Sequence, residues 1–203
     1  MKEFWNERYS AEDFAYGEEP NKFFKEQLSK LKPGTILLPA DGEGRNGVSA
    51  AKLGWGVECF DISSEGKNKA DLLAKKYDLL INYQVGSLEE LTYEKESFDV
   101  IALVFTHFHP SIRAEYHKKF MELLKPGGFL ISETFSKEHI AYNSVNSKVG
   151  GPKDIDFLSS LEQIREEFLE LDIVELYQRE ILLNEGAFHI GKGDVVRFVG
   201  RKK

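Results

Sequence analysis

Thr35-Ile36-Leu37-Leu38-Pro39-Ala40-Asp41-Gly42-Glu43-Gly44-Arg45-Asn46-Gly47 opens as a short apolar run and turns abruptly glycine-rich. The β-branched pair Thr35-Ile36 suits a strand. Behind Asn46, Val48, Ala50, Ala51 and Leu53 fall at spacings that suit a packed helix face. Strand, glycine turn and helix in that order make a nucleotide-binding corner, because glycine lets backbone approach a ligand and a helix N-terminus offers unpaired N–H groups. A second run, Val57-Glu58-Cys59-Phe60-Asp61, ends on a carboxylate at the distance expected of a ribose-binding acid. The literal Gly42-x-Gly44-x-x-Gly47 is also the dinucleotide fingerprint, so this corner alone leaves two cofactors open.

Working outward, the segment before the corner is dense in aromatics: Phe4, Trp5, Tyr9, Phe14 and Tyr16, closed by Gly17-Glu18-Glu19-Pro20-Asn21. It reads as an arm packed on the domain, either stapling the surface or covering a ligand. Asn21 is placed to cap a helix from Lys22 to Leu31, which Lys32-Pro33-Gly34 ends. After Asp61, Ser63 caps a helix running to about Lys76, and Leu79 to Val85 reads as a third strand. Phe98 to Phe105 is nearly continuously apolar, as a central parallel strand covered on both faces should be. It opens into Thr106-His107-Phe108-His109-Pro110 and a helix from Ser111 to Leu124. Lys125-Pro126-Gly127-Gly128 breaks that helix before a fifth strand, Phe129 to Glu133.

A long polar loop is expected from Thr134 to about Phe157, then a helix opened by the capping box Ser160-x-x-Gln163. Ile173 to Leu182 and Val195 to Val199 close the chain as an antiparallel pair around an Asn184–Gly193 loop. Strands alternating with helices, then a hairpin, imply a doubly wound, Rossmann-like α/β sheet with one reversed edge strand. In such sheets the ligand sits outside the carboxyl ends of the strands. That rule gathers Asp41 to Asn46, Asp61, Ser87, Thr106 to His109 and Glu133 to Phe135 around one crevice.

Composition narrows the function classes. A length of 203 residues with 41% hydrophobic and 30% charged residues suits one well-cored soluble domain. The net charge of -7 argues against general binding to nucleic acid or anionic membranes. The single cysteine, Cys59, excludes an intramolecular disulfide and reads as a small buried apolar residue. No run is apolar for long enough to span a bilayer and the first residues hold no signal core, so a cytoplasmic protein is expected.

The order of Ile36-to-Asn46, Asp61-Ile62-Ser63, Gly86-Ser87-Leu88, Phe98-to-Phe105 and Leu123-Leu124-Lys125-Pro126-Gly127-Gly128 resembles the class I S-adenosylmethionine-dependent methyltransferases. The opening Trp5-x-x-Arg8-Tyr9 and Tyr16-Gly17-x-x-Pro20-Asn21 is similar to the arm of small-molecule members near the tellurite-resistance and thiopurine methyltransferases. The resemblance implies a seven-stranded sheet with an antiparallel last strand. It implies one domain over residues 1–203, with an arm and helix at 1–33 and the Rossmann-like core at 34–203. It also implies S-adenosylmethionine as cofactor and a small molecule as methyl acceptor. Carried over by residue, Ala40, Gly42 and Gly44, with Asn46 beside them, would hold the methionine part. Asp61 would take the ribose hydroxyls, Ile62 would pack on the adenine, Ser87 and Leu88 would lie at its edge, and Phe105 would line the methionine side. Tyr16 belongs to a lid over the sulfonium. The family usually carries an acid where Leu38 stands and a small residue at Asp41, so Asp41 is expected to take over the cofactor's ammonium group.

A nicotinamide-dependent oxidoreductase is the second reading. The literal fingerprint and Asp61 support it, but Lys125-Pro126-Gly127-Gly128 and the terminal hairpin are then unexplained, and no Tyr-x-x-x-Lys pair occurs in the expected helix. A cofactor-binding module without catalysis is the third. Methyl transfer is an in-line displacement that needs alignment above all, and a base only where the acceptor must lose a proton. His107 and Glu133 are the catalytic candidates, with His109 and His189 at the same end of the sheet. Arg8 and Arg45 read as structural ion-pair partners. No metal is expected, since His107-x-His109 lacks a third ligand.

Overall fold

The computed structural model describes residues 1–203. Seven strands form one sheet in the order β3-β2-β1-β4-β5-β7-β6. In chain order these are β1 Thr35–Pro39, β2 Gly56–Asp61, β3 Asn82–Val85, β4 Phe98–Val104, β5 Leu124–Phe135, β6 Leu171–Glu185 and β7 His189–Lys202. The helices are α1 Lys2–Tyr9, α2 Lys22–Leu28, α3 Arg45–Lys52, α4 Ser64–Lys76, α5 Pro110–Leu123, α6 His139–Val145 and α7 Leu161–Glu167.

Side chains alternate across the central strands with the period of two that a pleated backbone imposes. Ile36, Leu38, Val100 and Ala102 point to one core with Phe23, Phe24 and Ala70. Leu37, Ile101 and Leu103 point to the other with Phe120, Phe168 and Phe198. Burial on both faces is why β1 and β4 read as unbroken apolar runs. The expected caps form: Asn21 accepts from the Phe24 N–H at 2.9 Å, Ser63 from Gly66 at 3.0 Å and Ser160 from Gln163 at 3.2 Å.

Four expectations change. The reversed strand is not at the edge: β7 lies antiparallel between β5 and β6, and β6 is the edge. The Asn184–Gly193 loop is absorbed into this hairpin, whose strands pair as far as Glu185 with His189. Lys125 to Gly128 is not a break before β5 but a shift of register inside it, between the pairs Phe98–Leu124 and Val100–Phe129. A Cβ on Gly128 would meet the Lys125 and Asp99 carbonyl oxygens at 2.9 and 3.0 Å, so only glycine closes that bulge. The polar stretch after Thr134 is not an open loop, because it holds α6 and two 3-10 turns, Ser147–Val149 and Ile155–Phe157. The His139 ring ties it down, taking the Asp194 N–H on Nδ1 at 3.2 Å with Nε2 3.1 Å from the Gly150 carbonyl. No helix is long and apolar enough to cross a membrane.

Candidate active site

The carboxyl ends of β1, β2 and β4 open on a cavity of about 220 Å³. Tyr16, Ala40, Asp41, Gly42, Asn46, Asp61, Ile62, Ser87, Leu88, Phe105 and His107 line it, as do His109 and His189. Residues as far apart in the chain as Tyr16 and His189 thus converge where the crevice rule puts them. Strain marks the same place. Ala40 and Phe105, which follow β1 and β4, have φ of +51° each, a conformation that costs a side-chain-bearing residue about 1–3 kcal/mol.

Two expected residues lie outside. Gly44 has φ +79° as the N-cap of α3, and a Cβ there would come within 2.5 Å of the Ala70 side chain. Its missing side chain serves the packing of α3 on α4. Glu133 is buried on the opposite face of β5, where its carboxylate accepts from Asn21 Nδ2 at 2.6 Å and from Arg197 Nε. It anchors the start of α2 to the sheet and is engaged on both oxygens, so it is not on the cavity face as expected. The strand's alternation shows the reason: Ser132 and Thr134 face the α5 side, and Glu133 between them faces the other.

The Asp61 carboxylate accepts the Gly42 N–H at 3.1 Å and the Ser63 N–H at 2.9 Å. Each oxygen keeps acceptor capacity for a further donor. Burial lifts its pKa to about 6 against those hydrogen bonds. Asp41 Oδ2 accepts the Gly47 N–H at 3.0 Å and lies 3.5 Å from the Cys59 thiol, while burial pushes its pKa up to about 7. The Asn46 side chain accepts the Asn21 N–H at 2.9 Å, and the Ser87 hydroxyl donates to Glu90 at 3.2 Å.

The arm forms the roof. Trp5, Tyr9 and Tyr16 line the cavity, and a Cβ on Gly42 would lie 2.6 Å from the Tyr9 hydroxyl oxygen. Glu43, inside the glycine turn, takes the Ala15 N–H at 2.9 Å and pairs with Lys69 at 2.9 Å, while Lys69 also donates to the Asp13 carbonyl. Arg8 lies 3.8 Å from the Phe188 ring centre and donates to the Tyr16 hydroxyl at 3.2 Å, joining α1 to the β6–β7 hairpin. The sequence reading overlooked Glu43 as the clamp of the arm, and Tyr9, Phe60, Ile112 and Tyr116 as cavity walls. The aromatic density before Pro20 was the available signal for Tyr9. Nothing local marked the others.

The imidazoles differ in state. His107 has its Nδ1 sealed from solvent with no partner, and burial takes its pKa down to about 3. His109 caps α5 by accepting the Ser111 N–H at 3.3 Å. The His189 Nδ1 lies 3.0 Å from a Glu185 carboxylate oxygen.

The donor set separates the two cofactors. A diphosphate at a glycine corner needs free N–H groups at the helix start. Here the Gly47 N–H goes to the Asp41 side chain, and the Gly44 N–H to the Asp41 carbonyl at 3.0 Å. The lining cation Arg45 is paired with Glu185 at 2.9 Å. A dinucleotide would find only the Arg45 and Asn46 N–H groups open there, beside the carboxylates of Asp41 and Asp61. A cation with a free amine and a ribose would find acceptors and aromatic faces, so the residues fit S-adenosylmethionine.

A methyltransferase domain family matches residues 36–128. A ubiquinone biosynthesis O-methyltransferase of Coxiella burnetii is 31% identical over 121 residues, 60% of this chain and 51% of that one. A probable thiol methyltransferase 2 of Arabidopsis thaliana is 29% identical over 144 residues, 68% of this chain and 59% of that one. The chain thus spans about half the length of the curated relatives it matches. A solved SAM-dependent methyltransferase from Methanosarcina mazei superposes with a TM-score of 0.72 at 16% identity, over 91% of this chain and 98% of that one. Residues 36–128 thus match a methyltransferase domain, and the chain shares the fold of a solved SAM-dependent methyltransferase.

Proposed function

We propose that the protein transfers a methyl group from S-adenosylmethionine to a small-molecule acceptor. The observation that carries this reading is the buried Asp41 carboxylate at the glycine corner: it lines the cavity beside Asp61 and opposes the charge of a diphosphate. The same carboxylate is left to meet the cofactor's ammonium group. Ala40 and Gly42 border the methionine part with Asn46 nearby, Asp61 receives the ribose hydroxyls, and Ile62, Ser87 and Leu88 surround the adenine. Phe105 and Tyr16 enclose the sulfonium end.

When bound, the cofactor supplies an electrophilic methyl group, and the chain's work is to align an acceptor with it and exclude water. His107 orients that acceptor rather than deprotonating it, because burial without a carboxylate partner takes its pKa down to about 3 and leaves its imidazole too weak a base. The arm belongs to the functional unit: residues 1–33 roof the cavity of the 34–203 core, so the whole chain acts as one domain. An acidic overall charge supports an acceptor other than nucleic acid. A single free, buried cysteine suits the cytoplasm.

Calorimetric titration with S-adenosylmethionine, S-adenosylhomocysteine and NAD tests the reading. Binding of the first two without NAD is expected, and NAD binding in their place would establish the oxidoreductase reading instead. Tight binding with no turnover over a broad acceptor panel would leave a binding module.

A further inference from the structure

Three imidazoles surround the Phe135 ring beside the cavity, and their surroundings assign them different work. His107 and His139 lie over its faces, with ring centres 5.9 and 3.9 Å away, and His189 meets it edge-on at 5.5 Å. His139 has protein groups at both nitrogens and is structural. His107 has no carboxylate near it, so a proton placed there would be stranded.

His189 is only 4% exposed, yet it lines the cavity. Its Nδ1 lies 3.0 Å from Glu185 Oε2, and a carboxylate only accepts, so Nδ1 carries the hydrogen. Nε2 is then a bare lone pair with no hydrogen-bond partner in the protein, and it is not among the polar atoms sealed from solvent. Glu185 Oε2 also receives Arg45 Nη2 at 2.9 Å. Arg45 itself is fixed by donating to the Tyr16 and Glu19 carbonyls at 3.4 and 3.3 Å. Burial works against the Glu185 charge, but the His189 hydrogen bond and the Arg45 charge overcome it and hold the carboxyl at about 2. Arg45–Glu185–His189 is therefore a chain with a permanent anion behind an imidazole; burial holds the His189 pKa below the usual range, and the Glu185 hydrogen bond and charge oppose that and steady an imidazolium when it forms.

We propose that His189 is the general base of the reaction, that Glu185 and Arg45 position it, and that the acceptor is a neutral hydroxyl or thiol on an apolar body. The acceptor class follows from the same end of the cavity. Tyr16 and Phe105 wall it, with ring centres 4.6 and 4.9 Å from the His189 imidazole, and bring no formal charge, while the lining carboxylates lie at the cofactor corner. The O–H or S–H bond of the acceptor breaks, its proton goes to His189 Nε2, and its electron pair forms the bond to the methyl carbon. The methyl–sulfur bond breaks with its pair left on sulfur, and the imidazolium returns its proton to water. The proposal rests on the methyltransferase reading.

The test separates the two. Calorimetry with S-adenosylhomocysteine on the His189→Gln protein, with a melting curve, reports the cofactor site independently of chemistry. Turnover is then measured with acceptor pairs of opposite protonation at neutral pH: benzyl mercaptan against 4-nitrothiophenol, and phenol against 2,4-dinitrophenol. His189→Gln should lower the rate with the protonated member of an accepted pair ~100-fold more than with the ionised member. Nitrogen-15 NMR of the imidazoles supplies a reading without turnover. Wild-type His189 should show the Nδ1–H tautomer, and Glu185→Gln should lower its pKa by ~1–3 units, with Arg45, Arg8, Tyr16, His107 and His139 left facing it. Equal losses for both members of a pair, the opposite tautomer, or no turnover of any pair by a protein that binds S-adenosylhomocysteine would each overturn the proposal. Failure of the wild type to bind S-adenosylhomocysteine would instead overturn the methyltransferase reading. If His189→Gln does not fold, Glu185→Gln carries the same comparison.

Discussion

Asp41→Asn should make the ligand-free protein more stable while weakening its hold on the cofactor. The carboxylate sits at the start of α3, and burial moves its pKa from 3.8 to about 7. The folded state therefore holds a proton that the unfolded chain releases, so Asp41 favours folding most below about pH 4 and loses that contribution as pH rises to about 7. The gap between 3.8 and about 7, at about 1.4 kcal/mol per pH unit, amounts to roughly 4 kcal/mol at neutral pH and above. Relaxation of the site reduces such figures, so a gain of about 2–4 kcal/mol is expected from the neutral amide. Asparagine keeps the acceptor for Gly47, because only Oδ2 is engaged by the protein. Urea unfolding of both proteins between pH 4 and pH 8 provides the assay. The variant's advantage should vanish at acid pH and grow toward neutrality, while calorimetry shows weaker S-adenosylmethionine binding. An advantage constant with pH, or a less stable variant at neutral pH, would refute the claim that a desolvated charge sits there.

Lowering pH should also weaken cofactor binding through Asp61, whose pKa of about 6 in the free protein must fall when hydroxyl donors reach it. The logarithm of affinity should decline as Asp41 and then Asp61 take up protons below about pH 7 and pH 6, and Asp61→Asn should reduce the slope below about pH 6 by about one and cost ~1.5–3 kcal/mol. Gly44→Ala should destabilise by ~2–4 kcal/mol from left-handed backbone and the clash with Ala70, and the folded fraction should bind cofactor with near-normal affinity. Binding lost without instability would return Gly44 to the site. Arg8→Ala should cost ~1 kcal/mol or less of stability but lower cofactor affinity several-fold by freeing the roof from Phe188 and Tyr16. A stability loss alone would make the arm a staple.

The central strands, the glycine corner and the caps at Asn21, Ser63 and Ser160 were legible because they rest on local rules: period, turn chemistry and hydrogen-bonding side chains. The convergence of Asp41, Asp61, Phe105 and His107 followed from topology once the strands were placed. Glu133 was misplaced because alternation along β5 shows that neighbours face opposite ways but not which way each faces. Gly44 was misread because a glycine that admits a helix and one that admits a ligand look alike in sequence. Helix α1 was unseen, since residues 2–9 carry no apolar stripe and dock through Asn6 to Ser63 and Arg8 to Tyr16. The order in residues 139–157 depends on His139 meeting Asp194, a partner 55 positions away. The Arg45–Glu185–His189 chain joins residues 140 positions apart, and no local pattern announces it.

The most direct test of the account is a competition experiment at the glycine corner. S-adenosylhomocysteine and NAD are titrated calorimetrically into wild-type protein and Asp41→Asn. The account predicts that wild type binds S-adenosylhomocysteine and not NAD, and that removing the Asp41 charge weakens the former. NAD binding by wild type, or S-adenosylhomocysteine affinity indifferent to Asp41, would contradict it.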